Sequence, residues 1–93
     1  MKHERASLYV VTYDIANDNR RVKVANVLKS YGERVQLSVF ECWLSGSEFG
    51  RLKDKVRQQI ELSVDSVRFY RPKGEVFVLG AGPVPQEPEF YLA

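Results

Sequence analysis

A single carboxylate, Asp14, stands at the end of an apolar run, and its setting suits metal and phosphate chemistry. The run comprises residues 8–13, and the turn-forming residues 16–19 follow it, so we predict a strand that delivers Asp14 to a turn. Carboxylate oxygens are ligands that Mg²⁺ prefers, and arginines beside such an ion can hold phosphate. An acid in this position is more often a turn residue or a helix cap, and spacing alone leaves both interpretations open.

Cationic side chains cluster immediately after the turn. Arg20, Arg21 and Lys23 open a predicted helix, where positive charge opposes the helix dipole unless an anion compensates it. Phosphate would supply that compensation, and contacts to the backbone of a nucleic acid would bind it without reading its sequence. The alternative is an ordinary solvated face, since charged clusters on helices are common.

The composition indicates one small globular domain. The chain has 93 residues, of which 44% are hydrophobic and 28% charged, and no apolar run approaches the roughly 18 residues of a membrane span. Its N-terminus lacks a signal-peptide pattern, and the single Cys42 cannot build a disulfide framework, so we expect a cytoplasmic protein with no membrane association. His3 is the only imidazole and lies in a charged N-terminal lead-in, so we expect no Ser-His-Asp set. One His and one Cys provide no paired zinc ligands.

Two helices are predicted. The first is capped by Asn17 or Asp18 and runs to about Tyr31, with Gly32 as a left-handed C-terminal residue. The second follows a capping box at residues 45–48. Apolar stripes at helical spacing face the core, namely Val24, Val27, Leu28 and Tyr31 in the first helix and Phe49, Leu52, Val56 and Ile60 in the second.

Residues 33–44 are rich in β-forming side chains, and the second half of this segment is apolar on both faces. Helices can cover only one face of a small sheet, and the simplest cover for the other is a second copy, which predicts a symmetric homodimer. No Gly, Pro or Asn marks a turn, so the segment is one long strand or two strands bent near Ser38. Further strands are predicted at 65–70 and 75–79, and we expect the last one to pair with the edge of the partner's sheet.

This order of elements predicts a ferredoxin-like α+β sandwich, βαββαβ, with an extra C-terminal strand. We expect the domain to occupy residues 1–80, followed by a Pro-rich tail over 81–93. The tail ends in Phe90-Tyr91-Leu92, an apolar aromatic end that makes it a candidate docking peptide. The fold hosts many functions, so it does not by itself identify one.

Four segments resemble the CRISPR-associated Cas2 family and occur in that family's order. They are residues 9–15 (YVVTYDI), 18–21 (DNRR), 31–42 (YGERVQLSVFEC) and 65–70 (DSVRFY). The block that runs from Gln36 through Ser38 to Glu41 is quite specific. The resemblance implies a small homodimer of ferredoxin-like protomers, metal-dependent endonuclease activity on RNA or duplex DNA, and work with the Cas1 integrase in acquiring new spacers.

The same resemblance implies roles for individual residues. Asp14 matches the family's metal-binding acid, with Mg²⁺ or Mn²⁺ as the cofactor, and it forms the expected catalytic set with Arg21 and Arg34, which match basic residues tied to activity. Phe40 matches a motif aromatic. Some members carry an arginine at the position of Lys23, and lysine keeps the charge but loses the bidentate fork. The expected nucleic-acid-binding set is Arg20, Arg21, Lys23 and Arg34.

Two function classes remain open on the sequence. In a nuclease, two copies of Asp14 near a two-fold axis would hold the metal, while the arginines stabilise charge in the transition state. No general base is evident, and a protein without catalysis would need none. The alternative is therefore a non-catalytic dimeric scaffold that spaces two copies of the Cas1 integrase along a DNA duplex.

Overall fold

The computed structural model describes residues 5–82 and contains a four-stranded antiparallel sheet with two helices against one face. The elements are β1 Ser7–Asp14, α1 Asp18–Lys29, β2 Glu33–Gln36, β3 Val39–Leu44, α2 Gly46–Arg57 and β4 Ser66–Tyr70. The strands lie in the order β2-β3-β1-β4, which confirms the predicted ferredoxin-like arrangement. Within residues 5–82, neither helix is long and apolar enough to cross a membrane.

The central strand β1 has two different faces because successive side chains of a strand point in opposite directions. Tyr9, Val11 and Tyr13 are buried beneath the helices. Val10 and Thr12 point the other way, toward a surface that the helices leave uncovered. We call it the open sheet face, and by strand register it carries Leu8, Val10, Thr12, Asp14, Glu33, Gln36, Val39, Glu41, Trp43, Ser66, Arg68 and Tyr70.

The first helix begins as predicted but ends differently. Asn17 is its N-cap, and the Asn17 side chain accepts a hydrogen bond from the backbone N–H of Arg20 at 2.9 Å. The C-cap is Ser30, and Gly32 is not among the glycines with positive φ, so its predicted left-handed role was wrong. Gly32 is instead a point of close packing, since a Cβ there would lie 2.3 Å from the carbonyl oxygen of Glu41 and 2.5 Å from the Cys42 sulfur.

The second helix confirms the capping box. The Ser45 hydroxyl accepts from the backbone N–H of Glu48, and the Glu48 carboxylate accepts from the backbone N–H of Ser45 at 2.8 Å. Leu52 and Val56 on its predicted stripe are fully or nearly fully buried. Local sequence therefore sets both the start of this helix and the face that it turns to the sheet.

The ambiguous segment 33–44 forms two strands, β2 and β3, joined by a two-residue turn at Leu37 and Ser38. A contact from β1 holds this turn. The backbone N–H of Tyr13 donates to the Ser38 carbonyl, and the Tyr13 hydroxyl donates to the Leu37 carbonyl, both at 3.2 Å. The turn lacks a local sequence signal because its partner lies 24 residues earlier in the chain.

No strand forms at residues 75–79 within one chain, and the segment lies largely exposed. The side chains of Phe77 and Leu79 are 85% and 97% exposed. The extra strand was expected to pair with the sheet of a second copy, so this pairing stays a prediction. The tail beyond residue 82 lies outside the described residues.

Candidate metal and nucleic-acid site

Asp14 is the last residue of β1 and pairs with Ser66 of β4. Its side chain is exposed. The helix cap is Asn17, so Asp14 does not serve as a cap. Within residues 5–82 no hydrogen bond or ion pair engages the Asp14 carboxylate, which leaves its oxygens available to a ligand.

Arg21 and Arg34 line one groove of about 250 Å³ between α1 and the β2–β3 hairpin. Its full lining is Tyr13, Arg21, Val22, Ala25, Arg34, Leu37 and Ser38. Two guanidinium groups beside apolar walls can hold an anion through charge-assisted hydrogen bonds. The structure thus brings together the two arginines that the resemblance assigned to activity.

The two arginines are held in different ways. The Arg21 guanidinium donates to the carbonyls of Ile15 and Ala16 at 3.1 and 3.2 Å and to the carboxylate of Asp18. Arg21 is therefore anchored to the two residues that directly follow Asp14. The Arg34 guanidinium lies 5.2 Å from the ring centroid of Phe40 and has no carboxylate partner in the described part of the chain.

Phe40, the motif aromatic, is completely buried. Its ring packs 6.3 Å from that of Tyr13, measured between centroids, and also lies beneath the Arg34 guanidinium. A cation over an aromatic face gains about 0.5–1 kcal/mol at an exposed site. Phe40 thus belongs to the core and orients Arg34 through that stacking.

Arg20 makes a bidentate ion pair that the sequence did not reveal. Its Nε lies 2.6 Å from Asp65 Oδ2 and its Nη2 lies 3.1 Å from Oδ1. Asp65 also accepts the backbone N–H of Glu61 at 2.8 Å, and its side chain is 1% exposed. The Arg20 guanidinium, with the Glu61 N–H, lowers the pKa of Asp65, and the hydrogen bond to Asp65 raises the pKa of Arg20. Arg20 therefore fastens α1 to the start of β4.

Lys23 is exposed on α1. It forms no salt bridge with any residue between positions 5 and 82. Lys23 and Arg34 are thus the members of the predicted nucleic-acid-binding set whose charges have no carboxylate partner in this region, whereas Arg20 and Arg21 are already paired.

The predicted catalytic set does not converge in one pocket of a single chain. Tyr13 lines the arginine groove on the helix side of β1, whereas Asp14, the next residue, belongs to the open sheet face. Across residues 5–82, no three side chains of His, Cys, Asp or Glu are grouped to hold a metal ion. The turn after β1 connects Asp14 with the arginine groove, because Arg21 is hydrogen-bonded to the backbone of that turn.

The open sheet face combines apolar and charged side chains. Trp43 and Val10 are only half-buried there, and Tyr70 is 48% exposed. Glu33 pairs directly with Glu41 across β2 and β3. Partial burial, and secondarily the charge of Glu33, raises the pKa of Glu41.

A family model described as CRISPR associated protein Cas2 matches residues 7–77. The chain belongs to the Cas2 family. A relative named CRISPR-associated endonuclease Cas2 2, from Thermus thermophilus, is 54% identical over 79 residues, which span 85% of this chain and 88% of the relative. A Synechocystis relative named CRISPR-associated endoribonuclease Cas2 3 is 45% identical over 85 residues, 87% of this chain and 92% of the relative.

Solved structures share the fold of this chain. A crystal structure of a hypothetical protein from Thermus thermophilus aligns with a TM-score of 0.82 and 53% identity, over 87% of this chain and 99% of that one. A chain in a partial Cas6-RT-Cas1–Cas2 complex aligns with a TM-score of 0.59 and 35% identity, over 69% of this chain and 76% of that one. A crystal structure of Streptococcus pyogenes Cas2 aligns with a TM-score of 0.70 and 36% identity, over 78% of this chain and 99% of that one, so the Cas2 fold extends over most of the present chain.

Proposed function

We propose that this Cas2-family protein is a cytoplasmic, metal-dependent endonuclease of the CRISPR system that cleaves phosphodiester bonds in RNA or duplex DNA. The observation that carries the proposal is Asp14, an exposed carboxylate with no partner within residues 5–82, at the end of the central strand. The protein is 54% identical to a relative named as an endonuclease and 45% identical to a relative named as an endoribonuclease.

The chemistry of Asp14 fits a hard cation such as Mg²⁺ or Mn²⁺, because its donors are carboxylate oxygens. One carboxylate alone supplies too few of the six oxygen ligands that such an ion takes. A homodimer joined through the open sheet face would supply a second Asp14, and water and phosphate oxygens would complete the shell. A divalent ion held there would polarise the scissile phosphodiester and lower the pKa of a bound water.

The arginines would position the nucleic acid beside that acid. Arg21 is fixed to the turn that follows Asp14, so a phosphate held by Arg21 would lie near the end of β1. Arg34 would add a second guanidinium from the other wall of the groove. Together they would stabilise negative charge that builds up on the phosphate oxygens in the transition state.

The test is cleavage of labelled RNA and duplex DNA with Mg²⁺, with Mn²⁺ or with EDTA. We expect metal-dependent cleavage by the parent and a loss of at least about 100-fold in Asp14→Asn, in line with removal of a group essential to charge stabilisation. Asp54→Asn is the matched control, because Asp54 is an exposed acid on α2 that pairs with Arg57. Equal metal-dependent cleavage by the Asp14→Asn variant and the parent would contradict the role of Asp14, and no cleavage by the parent under any metal condition would contradict the nuclease proposal.

A second candidate function is a non-catalytic scaffold that binds duplex DNA beside Cas1. It is favoured by the likeness to a chain of a partial Cas6-RT-Cas1–Cas2 complex. The same experiment separates the two functions. Duplex binding without cleavage under any metal condition, together with co-purification of Cas1, would support the scaffold.

A further inference from the structure

A groove of about 150 Å³ lies between the end of α2, the loop that follows it and the edge strand β4. We call it the α2–β4 groove. Leu62 in its wall is 71% exposed, whereas Val67 and Phe69 pack against the core on the helix side of the sheet. The groove is therefore separate from the open sheet face. Its apolar wall consists of Val56, Ile60, Leu62, Val67 and Phe69.

Two cationic side chains, Lys53 and Arg57, also line this groove, and they differ in their partners. Arg57 Nη1 lies 3.6 Å from Asp54 Oδ1. Lys53 has no carboxylate partner within residues 5–82, and its Nζ lies 4.4 Å from the ring centroid of Phe49. The groove thus combines an apolar wall with a positive charge that is available to an acid, which suits a ligand that is both apolar and acidic.

The end of the same chain has the complementary chemistry. Residues 74–93 contain three glutamates and no Lys, Arg or His, so their side chains carry a charge of −3, whereas those of residues 1–73 carry +5. Glu87 and Glu89 come just before the apolar run of residues 90–92. Three prolines between positions 83 and 88 restrict the backbone and favour extended conformations, which lowers the entropy cost of binding.

The tail is long enough to reach this groove. Phe69 lines the groove, and Phe90 follows it by 21 positions. A chain of that length can span up to about 70 Å when extended, so it needs only to turn back toward the place where it leaves β4. A segment tethered in this way is present at an effective concentration on the order of millimolar, and modest contacts are then enough to hold it.

We propose that the α2–β4 groove is the docking site of the protein's own C-terminal tail. The apolar side chains of residues 90–92 lie against the groove wall, and the glutamates of the tail lie beside Lys53. Docking removes the exposed Leu62 side chain from water and gives Lys53 a carboxylate partner. The inference goes beyond the proposed function, because it requires neither a metal ion nor cleavage of nucleic acid.

The test is photocrosslinking in the full chain, with benzoylphenylalanine in place of Tyr91. Peptide mass spectrometry after irradiation should map the crosslinks to residues 53–69, which contain the groove lining. Lys53→Glu should lower the crosslinking yield at least about twofold, because it sets like charges against each other. The tail variant Glu87→Lys/Glu89→Lys should do the same, and combining it with Lys53→Glu should restore at least about 80% of the parent's yield.

Lys55→Glu is the matched control, because Lys55 is on the same helix, is not part of the groove lining and lies over Tyr31 as Lys53 lies over Phe49. It changes the net charge equally, and its yield should equal that of the parent. Leu62→Ser tests the apolar wall and should also lower the yield. Melting curves of every variant establish that a lower yield is not a loss of folding.

Three results would overturn the inference. The first is a set of crosslinks that maps mainly outside residues 53–69, and the second is an equal yield from the parent, Lys53→Glu and the tail variant. The third is a Lys53→Glu variant that keeps the parent's crosslink but binds duplex DNA more weakly, which would make the groove a nucleic-acid surface. Cleavage that depends on Asp14 is measured separately, so the docking site and the proposed function can fail independently.

Discussion

The Asp14 carboxylate is available to a ligand because neighbouring residues fill the local structural roles. Asn17 caps α1, and Asp18 pairs with Arg21. We predict that Asp14→Asn leaves the melting temperature of the metal-free protein unchanged or slightly raised, since in the proposed dimer it removes repulsion between two carboxylates at nearly constant shape. Mg²⁺ or Mn²⁺ should raise the melting temperature of the parent but not of the variant. A variant that melts several degrees lower without metal would make Asp14 a structural residue.

Gly32 illustrates a residue whose identity is set by packing. We predict that Gly32→Ala costs about 1–3 kcal/mol of stability, because its Cβ would meet the Glu41 carbonyl and the Cys42 sulfur. In a domain of this size that corresponds to a melting temperature lower by roughly 4–8 °C per kcal/mol. Gly50→Ala is the matched control, since no atom lies within 4 Å of its added Cβ and alanine should stabilise α2 by up to about 1 kcal/mol. Equal effects of the two variants would contradict this role.

At the scale of elements, the Arg20–Asp65 pair joins the first turn of α1 to the residue before β4. The pKa of Asp65 is lower in the folded protein than in the unfolded chain, so its contribution to stability is present above the unfolded value. This contribution is lost as the pH falls from about 4, the ordinary aspartate pKa, through the lower pKa that Asp65 has in the folded protein.

We predict that Asp65→Asn lowers the melting temperature at neutral pH and that the gap to the parent closes as the pH falls through this range. The measurement is thermal melting of both proteins between about pH 7 and pH 3, a span that brackets the ordinary aspartate pKa. The Asp54→Asn variant, with its exposed pair to Arg57, should show little gap at any pH. A gap for Asp65→Asn that stays constant with pH would contradict the linkage.

At the scale of the whole molecule, binding of nucleic acid should depend on the charges that remain free. We predict that Arg34→Ala weakens binding to all duplexes about equally and reduces the slope of log affinity against log salt by about 0.9 for each phosphate that the variant no longer neutralises. Arg57→Ala, on α2 and paired with Asp54, is the control. Filter binding across salt concentrations provides the measurement, and weaker binding to one sequence alone would indicate base contacts instead.

The exposed segment at residues 75–79 gives a prediction about assembly. Phe77 and Leu79 are almost fully exposed in one chain, and an apolar strand without a partner promotes aggregation. Deleting residues 75–93 should therefore give a monomer or an aggregate, whereas deleting only 83–93 should leave the dimer intact. Size-exclusion chromatography with light scattering distinguishes these outcomes. An unchanged soluble dimer after the longer deletion would refute the pairing of residues 75–79 with the partner's sheet.

The sequence by itself determined the features that depend on neighbours a few residues away. A cap at Asn17 or Asp18, the Ser45–Glu48 box and the apolar stripes follow from local hydrogen bonding and periodicity, and with the strand segments they predicted the ferredoxin-like fold. The family motifs added Asp14, Arg21 and Arg34 as site candidates, because resemblance carries information that spacing alone does not.

Only the tertiary structure decided how distant residues meet. Arg20 pairs with Asp65 across 45 residues, and Tyr13 holds the turn at Leu37 across 24, so neither partner has a local signal. The structure places Tyr13 and Asp14 on opposite faces of β1 and forms the arginine groove on the Tyr13 side, which the sequence analysis did not predict. The reason is physical: local chain geometry fixes which way a side chain points, whereas its partner is chosen by packing of elements far apart in sequence.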